Sequence, residues 1–229
     1  MAKKKKTKYF SHTDRKVLFI LLTIVLVFVV YDNRDFLFGI KKTVPETEKN
    51  YNHESLINRT EHNYGKEIDR LAGEFGLPAA YLKALVALEC SGMKPPGTRF
   101  ERHVFKRLKK LRDGKISKME NLKMTTVKNV NDDGLKNLAT SWGPFQLMGY
   151  KCVILGIYVV DIRGDNSLYW GIKWIDLTYG SYLRKGRYRD AFHMHNTGDP
   201  FPSNGKSRTF DPDYVDRGLS LMKQFEQLK

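Results

Sequence analysis

The sequence predicts a mainly α-helical domain behind a single N-terminal membrane-spanning helix. Three observations lead there: apolar residues recur at helical spacing from residue 66 onward, a 15-residue uncharged run stands near the N-terminus, and the stretch between them keeps no sustained period. The 229 residues suffice for one ordinary domain with extensions and fall short of two full ones. With 41% hydrophobic residues, 28% charged residues and only 8 Pro, the composition excludes wholesale disorder and fibrous repeats.

A basic head comes first. Residues 1–16 hold seven Lys and Arg against one Asp, so +9 of the formal net charge of +15 remains for everything downstream. A charge gathered at one end next to an apolar run reads as a topology signal that touches anionic headgroups, and no nucleic-acid partner is expected. The run itself, residues 17–31, carries only Thr23 as a clearly polar side chain. As a helix it is about 23 Å long at ~1.5 Å per residue, which suits a signal-peptide core or a signal anchor. The following Asp32-Asn33-Arg34-Asp35 offers no small-x-small cleavage pattern, which favours the uncleaved anchor. The positive-inside rule then puts residues 1–16 in the cytoplasm and residues 32–229 on the far side.

Residues 32–64 are polar, mixed in charge and without period, and read as a tether. From Lys66 the pattern changes. Ile68, Leu71, Ala72 and Phe75 form a helical stripe that stops at Gly76-Leu77-Pro78, so the domain is expected over residues 65–229. A second helix, from about Pro78 to Ser91, carries Leu82, Leu85 and Val86 on one face and closes at Gly92. A third is expected from near Phe100, with Val104, Leu108 and Leu111 continuing its stripe. Residues 112–137 are polar and weakly periodic, a lobe or flap. Residues 168–183 are apolar nearly all round, as in a helix at the centre of a domain. Two more helices are expected over 189–196 and 212–228.

One residue breaks the pattern. Glu89 lies seven residues after Leu82, on the apolar stripe of the second helix and in its last turn. Desolvation and the unsatisfied carbonyls of a helix end both favour the neutral form of a carboxyl there. A protonated carboxylic acid is what a glycosidase uses to protonate a leaving sugar oxygen. Spacing alone leaves a plainer reading open, in which Glu89 pairs with Arg99 or Arg102.

Four segments in order bear on that choice: ALVALECSG (84–92), SWGPFQLMGY (141–150), RYRDAFHMHNTG (187–198) and DYVDRGLSLM (213–222). Together they resemble the lytic transglycosylases of the goose-type lysozyme-like superfamily, over about residues 66–225. RFERHVF (99–105) is also similar to an N-acetylmuramidase branch. The resemblance implies a mainly α, lysozyme-like α+β fold with Glu89 as the catalytic acid. It puts Gly143, Phe145, Gln146, Leu147 and Met148 on the groove-lining segment, Asn196 and Gly198 in the third motif, and Tyr214 in the fourth. A side-chain amide such as Gln146 can both donate to and accept from an N-acetyl group, and Trp142 or Phe145 can offer an apolar face to a sugar ring. Three positions depart from the family pattern: Cys90 stands for Ser, Gly149 for Pro, and His195 for a Tyr that in the family lies close to the Glu. A protonated His195 would oppose the acid role of Glu89, whereas a neutral one could hydrogen-bond it.

Other candidates have plainer readings. His193 and His195 face apart on a helix, so with His103 they make a poor metal site. Trp170 and Trp174 read as core. Cys90 and Cys152 read as small buried fillers or as one bridge. Glu101, twelve residues after Glu89, is either a second active-site carboxylate or an exposed residue that orients its strand through Arg102 or His103.

The resemblance therefore implies a lytic transglycosylase that cleaves the bond between N-acetylmuramic acid and N-acetylglucosamine in peptidoglycan with no metal or organic cofactor. The basic head and apolar run place it in the bacterial inner membrane, facing the periplasm or cell wall. Its partners would be glycan strands, the membrane through residues 17–31, and an envelope-spanning secretion or conjugation machine. Two alternatives stay open: a hydrolytic muramidase, and a non-catalytic peptidoglycan-binding subunit of such a machine. The anchor reading is checked by fractionation. The full-length chain should stay with membranes with its N-terminus intact, and a soluble species beginning near residue 32 would show a cleaved signal instead.

Overall fold

A computed structural model describes residues 55–228. The basic head, the expected membrane helix over 17–31 and the tether up to residue 54 lie outside the described residues. Among the described residues, no helix is long and apolar enough to cross a membrane. The described chain is mainly helical with a small sheet.

Leu56–Thr60 (α1) runs through one π-helical turn, Glu61–Gly65, into Lys66–Phe75 (α2). Ser55 caps its start, its hydroxyl accepting from the Asn58 N–H at 3.1 Å. Residues 55–64, expected in the tether, are thus helical and join the folded unit, with Thr60 and Tyr64 buried. Their few apolar residues, Leu56, Ile57 and Tyr64, pack on the first core without making a long stripe, and polar contacts add to the hold. Asn63 donates to the Gly92 carbonyl at 2.8 Å and Tyr64 to the Met93 carbonyl at 2.6 Å.

Gly76 ends α2 in the left-handed conformation, and Ala79–Cys90 (α3) follows. Every residue of α3 from Tyr81 to Ala87 is buried, including Lys83, whose ammonium lies 2.7 Å from Glu61 and 3.0 Å from Asp69. The chain continues through Arg99–Phe100 (β1), Arg102–Arg112 (α4), the hairpin Lys118–Met119 (β2) and Leu122–Lys123 (β3), Met124–Val127 (α5) and Asp132–Leu138 (α6). Thr140–Trp142 (β4) and Leu147–Met148 (β5) complete the strands. The helices Lys151–Leu155 (α7), Val159–Arg163 (α8), Ser167–Arg184 (α9), Tyr188–Thr197 (α10) and Tyr214–Glu226 (α11) close the fold.

β4 is the central strand of an antiparallel sheet, pairing Ser141 with Arg99 on one side and with Met148 on the other. This corrects the expected start of the third helix. Phe100 pairs with Thr140 in β1 and is 46% exposed, and α4 begins only after Glu101. Its spacing to Val104 matched a helical stripe, but the strand pairing took precedence.

Two apolar cores form. The first gathers α2, α3, α10, α11 and one face of α9. The second gathers α4 to α6, the hairpin, the sheet, α7 and α8. Ile172, Ile175 and Leu183 of α9 enter the first core while Trp170 and Trp174 pack against the second, which is why α9 reads as apolar on most sides. The all-round burial expected of it is not complete, since Leu177 is 62% exposed. α3 and α11 form the most extensive helix pair and run antiparallel, with Tyr214 near Glu89 and Phe225 lining one cavity with Ala79 and Ala80.

Inside the first core, the Tyr81 hydroxyl is buried and makes no hydrogen bond of good geometry; its ring is edge-on to Tyr179, whose hydroxyl is close enough to interact with it only weakly. An unsatisfied buried hydroxyl costs about 1–3 kcal/mol. Tyr81→Phe should therefore be the more stable protein, with a Tm about 2–4 °C higher per kcal/mol recovered. A lower Tm would show that the hydroxyl is satisfied.

Candidate active site

The packing of α11 along α3 carries Tyr214, the first residue of α11, to the last turn of α3. There its O–H donates to Glu89 Oε1. The Glu89 side chain keeps 17% of its exposure, and His195 Nε2 in the last turn of α10 lies 3.7 Å from the same oxygen. Arg99 instead pairs with Glu101 at 2.8 Å, and Arg102 makes no ion pair among the described residues. The plainer reading of Glu89 as half of an arginine pair is therefore not realised. The groups around it are uncharged hydrogen-bonding groups.

His195 is held from two sides. The Phe145 carbonyl lies 3.1 Å from Nε2 and the Tyr179 hydroxyl 2.7 Å from Nδ1. A carbonyl can only accept, so Nε2 carries the hydrogen and Nδ1 accepts from Tyr179. Burial is the largest influence on the ring and lowers its pKa, opposed by the nearby Glu89 charge. The ring is therefore neutral near pH 7, the form compatible with an acid at Glu89. Tyr179 reaches it from a break in α9, where its φ of −144° departs from helical geometry. Burial, followed by the Glu89 charge, pushes the Tyr214 hydroxyl far above the usual tyrosine range, so it remains a donor.

Beside this cluster lies a cleft of about 590 Å³, with Gln146, Met148, His195 and Asn196 on its wall together with Glu120, Lys151 and Trp174. Glu89 is not itself a wall residue and meets the cleft through His195. The remaining expected site residues divide. Phe145 is 1% exposed and packs against Gly171, so it contributes its carbonyl and not its ring. Trp142 donates to the Asn137 carbonyl at 2.9 Å with Arg163 over its ring, away from the cleft wall. Gly143 turns the β4–β5 connection at φ 71°, where a Cβ would lie 2.9 Å from the Ile162 carbonyl. Gln146 sits at φ 47°, a strained value for a residue with a side chain. Its amide donates to the Gly97 and Gly143 carbonyls at 2.8 and 3.1 Å and accepts from Ser141 at 2.8 Å. It thus ties the loop before β1 to the hairpin instead of presenting a free amide.

Two departures from the family pattern have local causes. The Gly149 N–H donates to the Thr140 carbonyl at 2.8 Å, and a Cβ there would lie 2.1 Å from the Asn137 carbonyl, so proline does not fit. Cys90 is a buried free thiol, raised by burial to about 11, that donates to the Val86 carbonyl. Cys152 is likewise free and sits in the other core. The histidines of α10 engage separate partners: His193 bonds the Asp199 carbonyl and the Arg208 N–H, pinning the loop that leads to α11.

Sequence reasoning missed three contributors. Tyr179 was one apolar residue among many in α9. Glu120 occupies the tip of the β2–β3 hairpin, at φ 49°, in a stretch without a motif. The signal was Met119-Glu120-Asn121-Leu122, two apolar residues around a two-residue turn. Burial alone would raise the Glu120 carboxyl, but hydrogen bonds from Lys151 and Tyr150 and the charges of Lys151 and Arg107 win and lower it. Lys151 lies 2.5 Å from Glu120 and 4.8 Å from the centre of the Trp174 ring, so Trp174, expected as core, also faces the cleft.

A comparison with protein-family models, characterised proteins and solved structures finds no match to this chain.

The depressed pKa of His195 has a consequence for stability. Facing the ring are Glu89 of α3 and Tyr179 of α9, with the Lys151 charge farther off. The unfolded chain takes up a proton at about pH 6.5 and the folded ring resists it, so stability present above that pH is lost as pH falls below it. The wild-type Tm should decline from about pH 6.5 toward about pH 5, before ordinary carboxylates titrate. His195→Gln should show a shallower slope there, whatever its absolute Tm. Equal slopes would exclude a neutral buried ring.

Proposed function

We propose that this chain is a membrane-anchored lytic transglycosylase of lysozyme-like fold that cleaves the β-1,4 bond between N-acetylmuramic acid and N-acetylglucosamine in peptidoglycan. The observation that carries the reading is Glu89, held by the Tyr214 hydroxyl and facing a neutral histidine beside a cleft. Glu89 protonates the glycosidic oxygen as an oxocarbenium-like state develops on the muramic ring. It then takes the proton from the muramic 6-hydroxyl, whose oxygen closes a 1,6-anhydro ring. Tyr214 holds the carboxylate through the exchange. His195, fixed by Tyr179 and Phe145, adds no positive charge. No metal or organic cofactor enters the mechanism.

The disposition of Glu101 and Glu120 supports the one-glutamate route, while a further carboxylate on the cleft wall, Asp199, lies 3.5 Å from Arg208. Hydrolysis needs a second carboxylate about 5–5.5 Å from the acid as nucleophile or about 6.5–9.5 Å away to activate water. Glu101 is engaged by Arg99 at 2.8 Å and by His103 at 3.5 Å. It is oriented through these two residues, not through Arg102. Glu120 is on the wall, which is what a muramidase reading would use, but Lys151 and Tyr150 hold it as a weak base.

Digestion of purified sacculi tests the reading. Wild-type protein should release muropeptides with anhydro ends, lighter by one water than reducing ends. Glu89→Gln still accepts the Tyr214 hydrogen but transfers no proton, so release should fall at least ~100-fold with the Tm unchanged or higher. Reducing ends that vanish in Glu120→Gln would make the enzyme a hydrolase. Sacculi that are bound and never cleaved would make it a binding subunit.

A further inference from the structure

The positive charge downstream of the head is concentrated in one place. Residues 95–138, which supply the helices and hairpin of the second core, contain twelve Lys and Arg against five Asp and Glu, a net +7 of the +9 carried after residue 16. Arg99, Lys109, Arg112 and Lys136 are used in ion pairs with the local acids. The other eight are exposed and form no ion pair among the described residues. Four of these are on α4, where Arg102, Lys106 and Lys110 follow one another at four-residue steps along one face about 12 Å long.

The hairpin supplies a second, independent observation. Lys118 and Lys123 are directly opposed across β2 and β3. Like charges facing each other across a strand pair destabilise it, and a two-residue strand has little else to hold it. An anion between them removes that repulsion. The basic lobe is also continuous with the cleft, because the tip of the same hairpin, Glu120 and Asn121, forms part of the cleft wall. The Arg107 charge reaches both Glu120 and Tyr150 there.

We infer that the α4 face and the β2–β3 hairpin form a docking surface for the free carboxylates of the peptide branches on a peptidoglycan strand whose glycan lies in the cleft. The inference rests on the proposed substrate and adds which part of it is recognised outside the cleft. Branches leaving a strand held between Gln146, His195 and Glu120 emerge at the lip where the unpaired cations begin. The cations suit them: Lys106, Lys110, Lys118 and Lys123 are flexible point charges that can follow carboxylates on mobile peptides. Spread over an exposed surface, such contacts act mainly by capturing and retaining the strand, and they are screened by salt.

The test is co-sedimentation of the full-length protein, in non-ionic detergent, with three forms of sacculus: intact, stripped of peptides by an amidase, and stripped of phosphate polymers by acid extraction. Wild type should bind intact and phosphate-free sacculi about tenfold more tightly than peptide-free ones at low salt, the scale of a few exposed charge contacts, and lose that preference at high salt. Lys106→Gln/Lys110→Gln/Lys118→Gln should bind all three alike, while Lys106→Arg/Lys110→Arg/Lys118→Arg keeps the preference and controls for folding. A glutamine variant that still prefers intact sacculi overturns the inference. So does a preference that follows the phosphate polymer, or a loss seen only on phosphatidylglycerol vesicles, which would assign the lobe to lipid. Because binding is read without turnover, a peptide-dependent preference with no muropeptide release would leave the docking surface standing and remove the enzymatic reading.

Discussion

The burial of α3 is the constraint around which the domain is arranged. A helix enclosed on nearly every side must either be apolar or bring its own compensation, and α3 carries two ionisable groups. Lys83 is compensated by charge: Glu61 from the π-helical turn and Asp69 from α2 close on its ammonium. Glu89 is compensated by neutral groups, a tyrosine hydroxyl and an uncharged imidazole. Removing one partner of a buried ion pair leaves a costly bare charge. A carboxyl held by neutral groups can change its protonation without breaking a pair. The two solutions on one helix set one ionisable residue among opposite charges and the other among neutral hydrogen-bonding groups.

That arrangement draws in distant parts of the chain. α11 has to run antiparallel to α3 for Tyr214 to reach the last turn. The break in α9 accompanies the Tyr179 bond to His195, and the β4–β5 connection turns so that the Phe145 carbonyl closes the other side of the ring. The strain at Gln146 belongs to the same turn, and its amide ties that turn to the loop leading out of the α3 end.

What was legible in the sequence follows from what made each element form. α2, α3, α9, α10 and α11 owe their positions to apolar periodicity, and their spans follow from it closely. Glu89 stood out because it violated that periodicity. The π-helical turn and the hairpin were not legible in this way, since Asn63 and Tyr64 hold the first through carbonyls of a remote loop and the second depends on a two-residue turn. Phe100 was misread because a strand of two residues leaves no period to detect. At the site, residue type and order pointed to Glu89, His195 and Tyr214. Nothing local distinguished Gln146 with a free amide from Gln146 with its amide engaged, because that difference depends on Gly97 and Ser141 meeting it in space.

α9 belongs to both cores at once, with Ile172 and Ile175 in one and Trp170 and Trp174 against the other. A helix shared by two packed bodies ties them together, and its break at Tyr179 lies on the cleft wall. The opening beside His195 is therefore bounded by both bodies, with Trp174 and Tyr179 of α9 facing the tip of the β2–β3 hairpin and the end of α10.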